Sequence, residues 1–319
     1  MNKLTVLCGL PGSGKSTIAK SILKEEMETE GFVTKIFSSD AIREELYGDA
    51  NILGNHQEVF ELLEKRIIAF FRANPDGVAI YDATNLIAKK RRELIKRIAK
   101  NAVCLFECIF VACRLSQCKR RQYTRDRQVP EEVIERMARQ FQAPFYNEGW
   151  DEINIIAGGP LYDLNEEVLN AWGVSHDNMH HSLTIGQHMS VAGREAAKLV
   201  DEMGWGGNAV IAARYHDLGK PHTKVFTNYK GEPTTEAHYY SHENVSGYMW
   251  LCANHEREAA DNVLIIGSLI QWHMIPYFIK PKGEAASFEE LSKWTDKHGF
   301  NNEYAKLLWV VHLADKAAH

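Results

Sequence analysis

Three groups of residues have types and spacings that could do chemistry. The first is Gly9-Leu10-Pro11-Gly12-Ser13-Gly14-Lys15-Ser16-Thr17, which matches G-x-x-x-x-G-K-[ST] between an apolar run and a helical stretch. Glycines at positions 9, 12 and 14 let backbone N–H groups close around a phosphate, and the following helix N-terminus adds partial positive charge. Ser13 and Thr17 belong to the same nucleotide-binding loop. In such a loop Lys15 reaches the β- and γ-phosphate oxygens of ATP and the Ser16 hydroxyl ligates Mg²⁺. Asp82 ends the third apolar run, in Tyr81-Asp82-Ala83-Thr84-Asn85. No Glu follows it, which disfavours a motor or transporter ATPase, and no N-K-x-D motif marks a GTPase. A kinase of a small molecule or of a polynucleotide remains.

The second group sits around that loop. Asp40 and Arg43 follow the second apolar run, one helical turn apart. A carboxylate there could accept a proton from an attacking hydroxyl, and the guanidinium could hold a phosphate of the acceptor. Arg121 and Arg125 are spaced i, i+4 in a stretch read as a helix over 115–127, so they would share a face. Arginines closing over ATP would neutralise charge on the transferred phosphoryl group. A second basic helix over 87–100 reads more simply as a solvated face, although it could track a nucleic-acid backbone.

The third group is rich in histidine. Thirteen of the 14 histidines lie from His176 onward, and only His56 precedes them. They include His181 and His188, then His216-Asp217-Leu218-Gly219-Lys220, His242 and His273, with Asp315 near the end. Imidazoles and carboxylates without a cysteine suit one or two divalent transition metals (Mn, Ni, Co, Fe or Zn) in a catalytic rather than a structural site. The role of His181 stays open, because His180 is its neighbour.

These groups need elements to position them. Apolar runs at 4–8, 33–37, 77–81, 103–111 and 152–156 alternate with helical stretches, which predicts a doubly wound parallel α/β sheet over 1–157. Gly158-Gly159-Pro160 breaks the pattern, and 158–178 reads as a linker. Over 179–319 the signal is all-α, with helices expected at 182–203, 207–216, 240–254, 258–272, 287–297 and 302–318. The first 150 residues carry a net charge of +4 and the rest −9, a basic half suited to phosphates and an acidic half suited to cations. No apolar run approaches the ~18 residues of a membrane span. The six cysteines contain no C-x-x-C pair, and with no secretory signal they read as reduced thiols in a cytoplasmic protein.

The first half resembles the phage-type polynucleotide 5′-kinases, on G-L-P-G-S-G-K-S-T, D-x-x-R at Asp40/Arg43, Y-D-A-T-N-L at 81–86 and R-x-x-x-R…V-P at Arg121, Arg125 and Val129-Pro130. The resemblance implies Asp40 as general base for a 5′-hydroxyl, Arg43 on the acceptor phosphate and Arg125, with Arg121 as second candidate, as the lid arginine. The second half resembles the HD phosphohydrolase superfamily. That implies His188, His216, Asp217 and Asp315 as ligands of one metal, His242 and His273 as ligands of a second with Asp217 bridging, and Lys220 on the substrate phosphate. Together the halves look like the bifunctional enzymes that heal nucleic-acid ends, RNA favoured and DNA the alternative, with a separate ligase as a partner. A nucleoside kinase fused to a nucleotidase and a nucleotide-sensing switch are the competing readings.

Overall fold

The computed structural model describes residues 1–30, 32–125, 127–160, 162–178, 182–255, 260–281 and 284–318, without the side chains of 29 and 30. His181 lies outside the described residues. The chain divides into two compact units, Met1–Met137 with Pro144–Leu161, and Ala138–Ala143 with Tyr162–His319.

The first unit runs β1 (Asn2–Cys8), α1 (Lys15–Glu25), β2 (Thr34–Ser38), α2 (Ser39–Tyr47), α3 (His56–Ala73), β3 (Val78–Asp82), α4 (Ala88–Ala99), β4 (Cys104–Ala112), α5 (Leu115–Arg120), α6 (Glu131–Gln140) and β5 (Glu152–Ala157). Its sheet has the order β2-β3-β1-β4-β5 and every pairing is parallel, as the alternation of elements predicts. Leu4, Val6, Leu7 and Cys8 of β1 are fully buried, which is why that strand reads as an unbroken apolar run. Because β1 pairs with β3 on one side and β4 on the other, a crevice opens at its carboxyl end, where such sheets bind ligands. In α3, Val59, Leu63, Ile67 and Phe71 recur every fourth residue and form the buried face.

Two expectations for this unit change. The helix read over 115–127 ends at Arg120, continues as a 3₁₀ turn over Arg121–Thr124, and leaves Arg125 extended at φ −102°, ψ 144°. Arg121 and Arg125 therefore share no helix face; a run of basic residues has good helix propensity, but the chain turns here beneath the phosphate loop. The basic helix, α4, is also not a uniform solvated face. Arg91 is only 1 % exposed and forms a double hydrogen bond to Glu148, Nε to Oε2 at 2.7 Å and Nη2 to Oε1 at 2.6 Å.

The second unit contains α7 (Asn165–Gly173), α8 (Ile185–Met203), α9 (Asn208–Tyr215), α10 (Lys220–Thr223), β6 (Val225–Thr227), β7 (Pro233–His238), α11 (His242–Asn254), α12 (Ala260–Trp272), α13 (Ile275–Phe278), α14 (Phe288–Lys297) and α15 (Asn302–Ala317). Helices α11 and α12 are buried around most of their circumference and form its centre. A capping box, Thr184 with Gln187, starts α8. The unit is helical but not all-α, because β6 and β7 pair as an antiparallel ribbon. β6 has only three residues and β7, Pro233–His238, is mostly polar, so neither stands out as an apolar run in the sequence. Residues 158–178 are not simply a linker either: α7 lies within them and packs on α8.

Candidate functional site

In the first unit the register sets Ser38 opposite Asp82, so β2 and β3 bring their carboxyl ends to the same edge beside the phosphate loop. Ser38 caps α2, its side chain accepting from the Asp40 amide at 3.2 Å, which fixes Asp40 in the first turn. The loop itself demands glycine at position 12: φ is +84°, and a Cβ there would meet the Cys118 carbonyl oxygen at 2.5 Å. Lys15 Nζ donates to the carbonyls of Gly9 at 3.0 Å and Leu10 at 2.9 Å, and Ser16 Oγ donates to Asp82 Oδ2 at 2.8 Å. Burial lowers the Lys15 ammonium pKa and raises that of the Asp82 carboxyl. Two charges held out of water at the foot of a cleft are what a site awaiting phosphate and a cation presents. Gly14 ends the loop as the N-cap of α1, Ser13 is buried within it, and Thr17 lines the cavity.

That cavity encloses about 880 Å³ and brings together Lys15, Ser16, Asp40, Arg43, Asp82 and Arg125. Arg43 Nη1 donates to Asp40 Oδ1 at 3.1 Å, while its buried Nε has no hydrogen-bond partner among the described residues. Arg121 lines the cavity too, but its Nη1 donates to the carbonyls of Gly12 at 3.0 Å, Ser13 at 3.2 Å and Gly158 at 2.6 Å. It is a strut that ties the phosphate loop to the end of β5. Arg125 is left as the lid candidate. Arg127 pairs with Asp40 and had no separate signal in the sequence beyond being one basic residue among several.

In the second unit five segments converge. His188 comes from the first turn of α8, His216 and Asp217 from the end of α9, His242 from the start of α11, His273 from just after α12 and Asp315 from the end of α15. All six are buried. Gly219 lets the turn after Asp217 lie against α11, since a Cβ there would meet the His242 carbonyl oxygen at 2.4 Å. Ser241, left-handed at φ +61°, aims the first residue of α11 inward.

The tautomers follow from the backbone. Nδ1 of His188, His216, His242 and His273 faces the carbonyls of Ala318, Ala213, Tyr239 and Ile270 at 3.2, 2.7, 2.8 and 2.7 Å. A carbonyl only accepts, so each Nδ1 donates and each neutral ring turns its Nε2 lone pair inward. Those lone pairs meet one another, His188 to His216 at 3.3 Å and His242 to His273 at 3.3 Å. Around them stand two carboxylates. Asp315 Oδ1 lies 2.9 Å from His188 and 3.2 Å from His216, Asp217 Oδ2 lies 3.4 Å from His216, and Asp217 Oδ1 lies 3.1 Å from His242 and 3.8 Å from His273. Facing lone pairs beside carboxylates repel unless a cation sits among them.

Two ligand groups result, His188–His216–Asp315 and His216–Asp217–His273, each with its donor atoms within 4.8 Å of one another. Asp217 offers one oxygen to each side. Nδ1–carbonyl bonds are the outer-shell contacts that orient metal-ligating imidazoles. The electrostatics agree. Burial disfavours an imidazolium at His216, but the Asp217 and Asp315 carboxylates outweigh it and raise its pKa to about 10. A proton on His216 thus does part of a metal ion's work. Burial, with His216 next to it, drives His273 down to about 3.

Lys220 Nζ sits 2.6 Å from Asp217 Oδ2 and 3.4 Å from His176 Nε2. His176, which the sequence did not single out as a ligand, therefore borders the site. Tyr277 is a further residue that sequence reasoning missed; its hydroxyl donates to Asp315 Oδ2 at 2.7 Å.

Comparison with known proteins bears on the first unit. Residues 4–144 match the family described as AAA domain. A stretch of 154 residues, 46 % of this chain, is 30 % identical to the L-seryl-tRNA(Sec) kinase of Methanococcus maripaludis and covers 56 % of that protein. The chain thus spans little more than half the length of this curated relative. With the strand order and the phosphate loop, these matches support a P-loop, kinase-like first unit, and a site of that type implies ATP and Mg²⁺. Among the described residues, no helix is long and apolar enough to cross a membrane.

Proposed function

We propose that the protein heals nucleic-acid ends, its first unit phosphorylating a 5′-hydroxyl with ATP and its second removing a 2′,3′-cyclic, 2′- or 3′-phosphate, on RNA in preference to DNA. One observation carries the reading: a P-loop cavity with Asp40 and Arg43 at its acceptor wall, and a His/Asp cluster divided about Asp217, occur in one chain. In the kinase unit, Lys15 binds the β- and γ-phosphates, and Ser16 with Asp82 would hold Mg²⁺. Asp40 takes the proton of the attacking hydroxyl, oriented by Arg43 and Arg127. Arg43 contacts the acceptor phosphate, and Arg125 meets charge on the transferred group.

In the second unit, His188, His216, Asp217 and Asp315 would hold one divalent ion and Asp217, His242 and His273 another. Such ions polarise a phosphoryl group and make water a better nucleophile at neutral pH. Lys220 binds a phosphate oxygen of the substrate, and Tyr277 keeps Asp315 Oδ1 turned inward.

The test is one RNA bearing a 5′-hydroxyl and a 3′-phosphate, incubated with ATP, Mg²⁺ and Mn²⁺ and read at both ends by fragment mass spectrometry. Loss of only 5′-phosphorylation in Lys15→Ala, and of only 3′-dephosphorylation in Asp217→Ala, is expected. Turnover of free nucleosides or nucleotides with both RNA ends untouched would falsify it. A second reading comes from the relative, whose name puts its acceptor on a seryl group carried by tRNA. Under it the acceptor here is a hydroxyl attached to an RNA, and an aminoacylated RNA would be phosphorylated in place of a 5′-end.

A further inference from the structure

We propose that the β6–β7 ribbon is an arm that holds single-stranded nucleic acid next to the His/Asp site, so that this site acts on the ends of polynucleotide strands. The inference rests on reading the second unit as a phosphohydrolase. Residues 218–241 connect two of the cluster's members, Asp217 and His242. The ribbon therefore leaves the rim of the site and returns to it. Its outgoing half reverses the charge of its surroundings. From 218 to 231 the sequence contains Lys220, Lys224 and Lys230 and no acidic residue, in a half of the chain whose net charge is −9.

Aromatic rings alternate with those lysines and face solvent. Tyr229 is 80 % exposed and Phe226 47 %. Lys230 Nζ lies 5.7 Å from the Tyr229 ring centre and Lys224 Nζ 5.8 Å from that of Phe226. Packing gives no reason to expose a tyrosine at the tip, yet the tip is firmly built. Asn228 Oδ1 accepts from the amides of Lys230 at 2.9 Å and Glu232 at 3.0 Å, and the Asn228 amide donates to the Glu232 carbonyl at 2.8 Å. Exposed rings on a rigid turn, interleaved with cations, are what a single strand needs: stacking for its bases and charge for its phosphates. At the base of the arm, Lys220 lies 5.4 Å from the Tyr239 ring centre and is paired with Asp217 Oδ2 at 2.6 Å, and Lys224 is paired with Asp177, so Lys230 at the tip is the lysine this segment offers to a strand's phosphates.

The test uses the full-length protein loaded with Mn²⁺ and two substrates, a nucleoside 3′-monophosphate and a short RNA 3′-phosphate whose 5′-end is already phosphorylated. Wild type should show a lower KM for the RNA. The Phe226→Ala/Tyr229→Ala variant should raise that KM roughly tenfold or more, with its constants for the mononucleotide unchanged. Lys230→Ala should weaken the salt dependence of RNA binding. In parallel, the same RNA carrying 4-thiouridine near its 3′-end should photocrosslink to the segment 224–230. Equal KM values for the two substrates in wild type, or crosslinks confined to other segments, overturn the proposal. If neither substrate is hydrolysed, the phosphohydrolase reading fails instead, and the crosslink position decides the arm by itself.

Discussion

Asp40 and His216 show how much a single side chain takes from its surroundings. Asp40 stands between Arg43 and Arg127 at the wall of the P-loop cavity. Asp40→Asn keeps the shape and removes the proton acceptor. Phosphoryl transfer should fall by about 100-fold or more while ATP affinity, measured by nucleotide titration, stays the same. Unchanged turnover in this variant would exclude Asp40 as the base. For His216 the prediction concerns protons. With its pKa raised to about 10, the metal-free site carries an imidazolium at pH 7. Loading Mn²⁺ or Ni²⁺ should therefore release protons, detectable with a pH indicator, and affinity should weaken as the pH falls. A folded-state pKa above the unfolded value stabilises fully below about 6.5, and that contribution is lost as the pH rises through about 10. The second unit without metal should thus lose stability between pH 7 and 10.

Elements hold these groups in place through a few buried contacts. Arg91 of α4 reaches Glu148, which also accepts from Trp150 Nε1 at 3.1 Å. Removing one partner strands the other charge in the interior. Arg91→Met should destabilise the first unit by about 3–5 kcal/mol, seen by calorimetry as a large drop in its transition temperature. In the second unit, α13 contributes Tyr277 to the Asp315 carboxylate. Tyr277→Phe removes one hydrogen bond and no ligand. Metal affinity should fall by roughly tenfold, measured by titration against a chelator, with the thermal transition of the unit little changed. A wild-type affinity in Tyr277→Phe would mean that Asp315 is oriented by its helix alone.

At the scale of the whole molecule, each compact unit contains a complete constellation of its own. Lys15→Ala should leave metal-dependent hydrolysis at its wild-type rate, Asp217→Ala should leave kinase activity at its rate, and the double variant should lose both. Coupled losses in the single variants, read in parallel assays, would show that the two chemistries depend on one another.

The amino-acid sequence was sufficient for the phosphate loop, the parallel strands and six of the helices of the second unit, because these depend on local chemistry. Glycine spacing, apolar runs and helical periodicity are set within a window of about 5 to 20 residues. It also pointed to His216 and Asp217 through His-Asp-Leu-Gly-Lys, and to His188, His242, His273 and Asp315 through the resemblance to HD phosphohydrolases that this motif carries. What it could not decide was which residues meet across long separations. Arg121 and Arg125 look equivalent along the chain, but one braces the loop and the other lines the cavity. His176, Tyr277 and Arg127 look ordinary, but each borders a site. Even the orientation of the imidazoles depends on carbonyls that only the folded helices bring into range. Packing makes these choices, because a contact between distant segments has no signature until both are in place.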